Sequence, residues 1–238
     1  MASNTVNALI NSAEAEWAHW GKATWNCITK AKSKGFHIDD ETAFAQYIID
    51  TYLPPFYKKP VKWPTTSVIG NDDYAWSAVT ISHFMISAGL KRKGLLKSTA
   101  SEAEWVAWVA SSIKDEFPIA EAHSEYIRWA IRGRQDGIAN AAYWGYRVDE
   151  NEATPDIGDL IGYPRAPKLT AKKALNFFDR KSNYTSHTDL VVAKRPGEID
   201  VIGGNVRDSV TKKTLAISPT GHLADTEHFW FVVLKCRL

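Results

Sequence analysis

The chain has 238 residues, of which 45% are hydrophobic and 24% charged, a composition typical of a globular domain. The formal net charge of +2 and the lack of a long basic run argue against a nucleic-acid-binding protein. No apolar run reaches the length of a membrane-spanning helix. Two cysteines, Cys27 and Cys236, are too few for a disulfide framework, although one bridge between the two ends of the chain stays open.

The N-terminal stretch MASNTVNALINSAEAEW has neither the basic start nor the apolar core of a secretory signal peptide. The sequence therefore predicts synthesis in the cytoplasm. If the protein acts outside the cell, it must leave by another route.

Hydrophobic residues in the first two thirds of the chain recur with the 3.6-residue period of helices. A proline-rich segment, YLPPFYKKPVKWP, interrupts this pattern with a predicted extended loop. Ser101 and Glu104 form a predicted capping box, and Pro118 occupies a predicted first-turn position. The predicted helices cover residues 5–33, 40–53, 72–88, 101–117 and 118–133.

After about residue 155 the hydrophobic pattern changes to the two-residue period of strands. Five segments show it, separated by turn signals such as RPGE and SPTG: DLIGYP, HTDLVVAK, EIDVIGGNV, VTKKTLAIS and FWFVVLKCRL. Helices followed by strands predict a single α+β domain over residues 1–238 with an antiparallel sheet, helical over 1–150 and mainly β over 155–238.

Metal and nucleotide sites have little support in the sequence. There is no Cys-x-x-Cys pair, no His-Glu-x-x-His motif and no phosphate-binding loop, and the seven histidines are scattered. We therefore expect neither a metal ion nor a cofactor.

Nucleophilic catalysis has more support. A papain-type site needs a nucleophile at a helix N-terminus, a histidine on a later strand and a polar residue that orients this histidine. The chain offers Ser77 in the first turn of a predicted helix, His187 at the start of a strand and Asn205 at the end of the next strand. Asp189, which shares a strand face with His187, is an alternative orienting residue.

Each of these residues also has an ordinary structural interpretation. Ser77 is equally typical of a helix start that bonds a backbone N–H group, and Asn205 after two glycines is typical of a turn. Cys27, the only cysteine in the helical half, is a weaker candidate nucleophile because a predicted mid-helix position offers it no free N–H groups.

Four motifs in this order resemble the bacterial cell-wall amidases and endopeptidases of the CHAP/NlpC-type papain-like superfamily. The segment WSAVTISHFMISAG is similar to the superfamily's W-C-A helix, and GDLIGYPR to its Gly-Asp strand. SHTDLVV resembles the Gly-His-Val strand, and VIGGN a strand that ends in Gly-Gly-Asn. The likeness is greatest to a branch that combines an E-W-x-x-W-G start (Glu16–Gly21), the W-S-A serine and an H-S-x-Y-I segment (His123–Ile127).

The resemblance implies a papain-like fold in which Ser77 is the nucleophile, His187 the general base and Asn205 the orienting residue. It also places His123, Trp76 and Asp73 in or near the groove. The better-known members have cysteine at the position of Ser77. A true serine hydrolase, a non-catalytic wall binder and a laboratory substitution of a cysteine are the three explanations that this difference leaves open.

The function implied by the resemblance is hydrolysis of an amide bond in peptidoglycan or its stem peptide. Without a signal peptide, delivery would use a contractile type VI secretion system, which implies a cognate immunity protein, or release as a phage-type lysin. The alternative is a non-catalytic cell-wall-binding module on the same scaffold. A hydrolase of some other amide or ester is a third hypothesis.

Overall fold

Helices and strands form a mixed α+β arrangement, with most of the helices before residue 136 and the longest strands after residue 159. The computed structural model describes residues 3–97 and 99–238. The helices are α1 (Asn4–His19), α2 (Thr42–Tyr47), α3 (Thr66–Gly70), α4 (Ser77–Ser87), α5 (Glu102–Ala110), α6 (His123–Gln135) and α7 (Ala171–Leu175), and a π-helical turn, Ile48–Tyr52, continues α2. The strands are β1 (Ala23–Asn26), β2 (Lys32–Ser33), β3 (Lys91–Lys93), β4 (Glu116–Pro118), β5 (Tyr143–Arg147), β6 (Leu160–Pro164), β7 (Ser186–Arg195), β8 (Glu198–Gly203), β9 (Thr211–Ala216) and β10 (Val232–Cys236).

Eight of these strands form one large sheet in the order β2-β1-β9-β8-β7-β6-β10-β5. All neighbouring pairs are antiparallel except β1 and β9, which run parallel. The short strands β3 and β4 form a separate parallel pair. The predicted α+β class and the five predicted strands, β6 to β10, are confirmed, whereas β1 to β5, which lie in the half predicted to be helical, were not predicted.

The predicted helix over residues 5–33 is wrong in its second half. α1 ends at His19, and the chain then passes through two residues with positive φ, Gly21 at 83° and Lys22 at 64°. A right-handed helix cannot continue through this backbone conformation. A side chain at Gly21 would also place a Cβ atom 2.5 Å from the backbone nitrogen of Phe36, so only glycine fits.

Three further helix boundaries differ from the prediction. α4 begins at Ser77 and not at residue 72, because Asp72 has a φ of 59° after the short helix α3. The capping box of Ser101 and Glu104 is confirmed, but α5 ends at Ala110. Pro118 ends β4 and does not open a helix, so α6 begins five residues later.

Both faces of the large sheet are covered by apolar residues. The main core contains residues from α1, α4 and α6 together with one face of β7, represented by Leu190. A smaller cluster on the opposite face includes Val191 and Cys27. Both cysteines are free, so the bridge that the sequence left open is absent from the structure. Within the described ranges, no helix is long and apolar enough to cross a membrane.

Two consecutive glycines allow α4 to approach the sheet closely. Gly203 ends β8 and Gly204 follows it, opposite the first turns of α4. A Cβ atom at Gly204 would lie 2.1 Å from Oγ1 and 2.6 Å from Cβ of Thr80, a buried α4 residue. Gly204 therefore sets the distance between α4 and the end of β8.

We expect Gly204→Ala to lower the free energy of unfolding by about 2 kcal/mol or more, because the added methyl group overlaps a helix that has no room to move. Urea denaturation measures this free energy. Gly94→Ala is the matched control, since no atom lies within 4 Å of a Cβ at Gly94. Equal stability of the two variants would show that α4 can shift away from β8.

Candidate functional site

The start of α4 is held by the residue that precedes it. The fully buried Trp76 stacks on Trp20 with ring centroids 4.9 Å apart, and its Nε1 donates a hydrogen bond of 2.6 Å to Asp39 Oδ2. Trp20 in turn donates to Tyr52, which donates to the buried carboxylate of Glu16. Through these contacts the E-W-x-x-W-G segment supports the position of Ser77.

Ser77, the first residue of α4, lies beside a histidine of α6. Its Oγ is 2.7 Å from Nε2 of His123, which is the first residue of α6. Both side chains are more than nine-tenths buried. Two helix N-termini therefore meet at this hydroxyl–imidazole pair.

The second nitrogen of His123 is held by two hydroxyl groups. Nδ1 lies 2.9 Å from Oγ1 of Thr188 on β7 and also contacts the hydroxyl of Tyr126, and these two hydroxyls are 2.7 Å apart. When Ser77 donates to Nε2, Nδ1 carries the proton and donates it to this pair. Thr188 and Tyr126 thus hold the second nitrogen of the ring and can accept its proton in the tautomer in which Nε2 faces Ser77 as an acceptor.

The surroundings of His123 favour its neutral form. Burial lowers the pKa of its imidazole well below 6.5, and the nearby His187 and Arg165 add to this effect, while the more distant Asp189 opposes it. At neutral pH the ring is uncharged and can accept a proton.

A second histidine, His187, lies at the start of β7 with its ring centroid 5.2 Å from that of His123. Its Nε2 is 3.1 Å from Oδ1 of Asp189, whose Oδ2 forms a 2.7 Å ion pair with Lys213 on β9. All three side chains are fully buried. Leu190 pairs with Ile202, which places Asp189 beside Gly203 on the intervening strand.

Gly203 makes this ion pair possible. A Cβ atom there would lie 2.2 Å from Oδ1 of Asp189 and 2.9 Å from Nε2 of His187. The missing side chain leaves the space through which the Asp189 carboxylate reaches across β8 to Lys213. Glycine at this position is thus required by side-chain packing.

The protonation states of this buried cluster are set by opposing effects. Burial lowers the pKa of His187 to about 4, against the attraction of Asp189. Burial alone would raise the pKa of Asp189, but Lys213 and His187 together lower it below its usual range. Burial likewise disfavours the charge on Lys213, but Asp189 raises its pKa. Asp189 and Lys213 are therefore charged at neutral pH, whereas His187 is neutral.

Arg165, which directly follows β6, contacts the other side of His187. Its Nη2 lies 3.2 Å from Nδ1 of His187. Because Nε2 of His187 faces the carboxylate of Asp189, Nε2 carries the proton and Nδ1 accepts from Arg165. The order of donation runs from Arg165 to His187 and from His187 to Asp189.

Ser77 and His123 line a cleft of about 370 Å³. Three backbone N–H groups at the start of α4 have no partner within the helix, since its first bond runs from Thr80 N to Trp76 O. The buried hydroxyls of Tyr184 and Ser186 also line the cleft and have no hydrogen-bond partner among the described residues. The site thus brings together a serine hydroxyl, an imidazole and backbone N–H groups that have no partner within the helix, the kinds of group that nucleophilic catalysis uses.

The predicted site residues are partly brought together. Trp76, Ser77 and His123 lie together at the start of α4. His187 packs beside His123 and forms no hydrogen bond with Ser77. Asp189, the alternative orienting residue, contacts His187. The side chains of Asn205 and Asp73 form no hydrogen bond with any described residue; Asn205 has a φ of 52°, which fits its interpretation as a turn residue.

Sequence reasoning missed four members of the site: Tyr126, Thr188, Arg165 and Lys213. For Tyr126 a signal existed, because it lies three residues after His123 and therefore on the same helix face. Arg165 and Lys213 depend on contacts across several strands, for which the sequence holds no local pattern.

Potential metal ligands are scattered over the described residues, and the thiol of Cys27 is buried. Within residues 3–97 and 99–238, there is no group of three or more His, Cys, Asp or Glu side chains that could hold a metal ion. Cys27 follows β1 outside any helix, and burial, together with Asp225, raises the pKa of its thiol to about 12. At neutral pH this thiol is protonated.

A model of the protein family described as "Uncharacterized protein conserved in bacteria (DUF2272)" matches residues 95–236. The matched range, well over half of the chain, contains His123, Arg165 and His187 and begins after α4. No curated protein and no solved structure matches the chain.

Asp39, the acceptor of the Trp76 hydrogen bond, gives a test of how the start of α4 is held. Burial raises its pKa to about 6, and the nearby Asp208 and Asp72 add to this effect, although the bond from Trp76 opposes it. A carboxyl whose folded pKa exceeds its unfolded value of about 3.9 destabilises the fold increasingly as pH rises through this interval.

We expect Asp39→Asn to raise the free energy of unfolding by about 2 kcal/mol at pH 8 and to have little effect at pH 4, because the amide still accepts from Trp76 without carrying a charge. Urea denaturation at both pH values measures the difference. The exposed Asp73→Asn is the control. A destabilised Asp39→Asn protein at pH 8 would mean that the charge itself supports Trp76.

Proposed function

We propose that this chain, which belongs to the DUF2272 family, is a serine hydrolase of amide bonds in peptidoglycan. Ser77 is the proposed nucleophile and His123 the proposed general base. The observation that carries the proposal is the 2.7 Å contact between Oγ of Ser77, at the N-terminus of α4, and Nε2 of a buried His123 whose pKa is lowered. A serine hydroxyl needs such a base at the moment of attack.

The proposed reaction has two halves. In the first, His123 Nε2 takes the proton of Ser77 as Oγ bonds to the amide carbonyl carbon. The carbon–nitrogen bond then breaks, and the leaving amine takes the proton from Nε2. In the second half, water gives a proton to Nε2 and its oxygen attacks the acyl carbon. The bond to Oγ breaks, Ser77 recovers the proton, and a carboxylic acid leaves.

Negative charge on the carbonyl oxygen would be stabilised by the start of α4. The backbone N–H groups of Ser77, Ala78 and Val79 have no partner within the helix, and the helix dipole adds positive potential there. Such donors are fixed before the reaction starts, so they stabilise the transition state without reorganisation.

The geometry supports a different base from the one that the sequence resemblance implies. His187 contacts Asp189 and Arg165, whereas His123 contacts Ser77. We therefore assign His187 a positioning role. Thr188 and Tyr126 replace the orienting Asn205 of the sequence-based hypothesis, because they hold the second nitrogen of the base.

Peptidoglycan as substrate is proposed from the papain-like resemblance and from the surface beside the cleft. The cleft-lining Glu121 accepts hydrogen bonds of 2.6 Å from Tyr57 and Tyr74. Trp63, which is 52% exposed, contacts the edge of Tyr74 at a centroid distance of 5.5 Å. An exposed aromatic ring near a polar cleft suits a polymer of sugars and peptides. Delivery to the wall of a target bacterium, with an immunity protein or as a lysin, stays a sequence-based hypothesis.

The proposal is tested by digesting purified peptidoglycan and analysing released muropeptides by mass spectrometry. We expect products from the wild-type protein, a loss of rate of at least about 10³-fold in Ser77→Ala, and a loss of about 10² to 10⁴-fold in His123→Gln. Ser87→Ala, an exposed serine at the other end of α4, is the matched control and should keep its activity.

The Ser77→Cys variant separates the remaining hypotheses. Products from the cysteine variant alone would indicate a thiol scaffold whose nucleophile has been replaced. If no variant releases products but Ser77→Ala still sediments with the wall polymer, the alternative of a non-catalytic wall-binding module is supported and the hydrolase proposal is wrong.

The pH dependence of kcat/KM tests the assignment of the base. His123 must be neutral to accept the proton of Ser77, so activity is lost as pH falls through its pKa. Because burial, His187 and Arg165 lower this pKa, we expect a constant rate from pH 8 down through 6.5, with the loss only at lower pH. Half of the activity lost at or above pH 6.5, with the protein still folded by circular dichroism, would contradict the assignment.

A further inference from the structure

We propose that Arg165 binds a free carboxylate of the substrate close to the scissile bond. The inference rests on the proposed function, since it assigns a substrate class to the same cleft. It makes the protein selective for peptide material that carries an anionic group, in contrast to peptide whose carboxyl groups are amidated.

Arg165 is exposed, yet a hydrogen bond to His187 holds its side chain in place. Its side chain is exposed and lines the cleft next to Ser77 and His123. Other arginines of the chain, such as Arg132, Arg147 and Arg195, form ion pairs with acidic side chains, but Arg165 forms none with any described residue. Its positive charge is therefore available to a ligand.

The group that positions Arg165 does not neutralise it. Nδ1 of His187 accepts one of its hydrogen bonds, and this imidazole is neutral. Behind it, Asp189 and Lys213 balance each other's charge at 2.7 Å. The guanidinium is thus held along one edge, while its other N–H groups have no partner among the described residues and no carboxylate among them offsets its charge, which is the arrangement that suits binding of a carboxylate.

Two more donors lie on the same side of the cleft. The backbone N–H of Arg165 bonds to the carbonyl oxygen of Thr185, which places Tyr184 and Ser186 beside Arg165. Both hydroxyls are at least nine-tenths buried, line the cleft and lack a partner among the described residues. A bound carboxylate would accept hydrogen bonds from them and remove the cost of leaving them unpaired.

The cleft also contains an acidic side chain, Glu121, so a bound anionic ligand is oriented toward Arg165. Glu121 precedes α6 and lines the same cleft, where it would repel an anionic group. A carboxylate is therefore favoured beside Arg165 and disfavoured beside Glu121. The predicted ligand chemistry is a peptide with a free carboxyl group on the Arg165 side of the bond that Ser77 attacks.

Binding of the Ser77→Ala protein to purified peptidoglycan tests the inference without turnover. Native sacculi are compared in a sedimentation assay with sacculi whose free carboxyl groups have been converted to amides. We expect binding to native material to be about tenfold tighter, and Arg165→Ala in the same background to abolish the difference. Arg195→Ala, which removes the same charge at the opposite end of β7, should keep it.

Equal binding to both materials, or a preference that survives Arg165→Ala, would overturn the inference. The digestion experiment separates this failure from failure of the proposed function. If the wild-type protein releases products equally from native and amidated sacculi, the hydrolase stands and the carboxylate site does not. If it releases none, the hydrolase fails, and the binding preference still decides the role of Arg165.

Discussion

The close approach of α4 to the end of β8 is the constraint on which the site depends. Gly203 and Gly204 remove two side chains from the point where helix and sheet meet. The space at Gly204 admits Thr80 of α4, and the space at Gly203 admits the carboxylate of Asp189. Gly204 therefore sets how closely α4 packs on the sheet. Gly203 leaves room for the buried ion pair of Asp189 and Lys213 beside His187. A larger residue at Gly204 would displace α4, and a larger residue at Gly203 would displace the carboxylate of Asp189.

The two histidines of the site are neutral for related reasons but have different neighbours. Both are buried, and burial lowers the pKa of each imidazole, with a further lowering by Arg165 in both cases. His123 is surrounded by hydroxyl groups, which suits proton exchange with Ser77. His187 stands between a carboxylate and a guanidinium, which suits a fixed hydrogen-bonded link. This difference in partners is the physical basis for assigning the base to His123.

The sequence predicts the strands after residue 155 far better than it predicts the contacts within the site. Successive side chains of a strand point to opposite faces of the sheet. The alternation of apolar and polar residues in β6 to β10 is therefore visible within each segment of the sequence. The end of α1 at His19 was missed, and the turn that follows brings Gly21 against Phe36, fifteen residues later. His123 was expected only to line the groove, because its partner Ser77 lies 46 residues away and on another helix. Contacts of this kind depend on packing and leave no local periodicity.

The neutral state of His123 also bears on why a serine stands where the wall enzymes that the sequence resembles have cysteine. A cysteine nucleophile works as a thiolate next to a positively charged imidazole. Burial, His187 and Arg165 all oppose a charge on His123, so a thiolate at position 77 would lack its counter-ion. A serine hydroxyl has the reverse requirement, because it stays neutral until attack and needs an uncharged base. The electrostatics around His123 therefore favour a hydroxyl nucleophile over a thiolate, which supports serine as the residue for which this site is built.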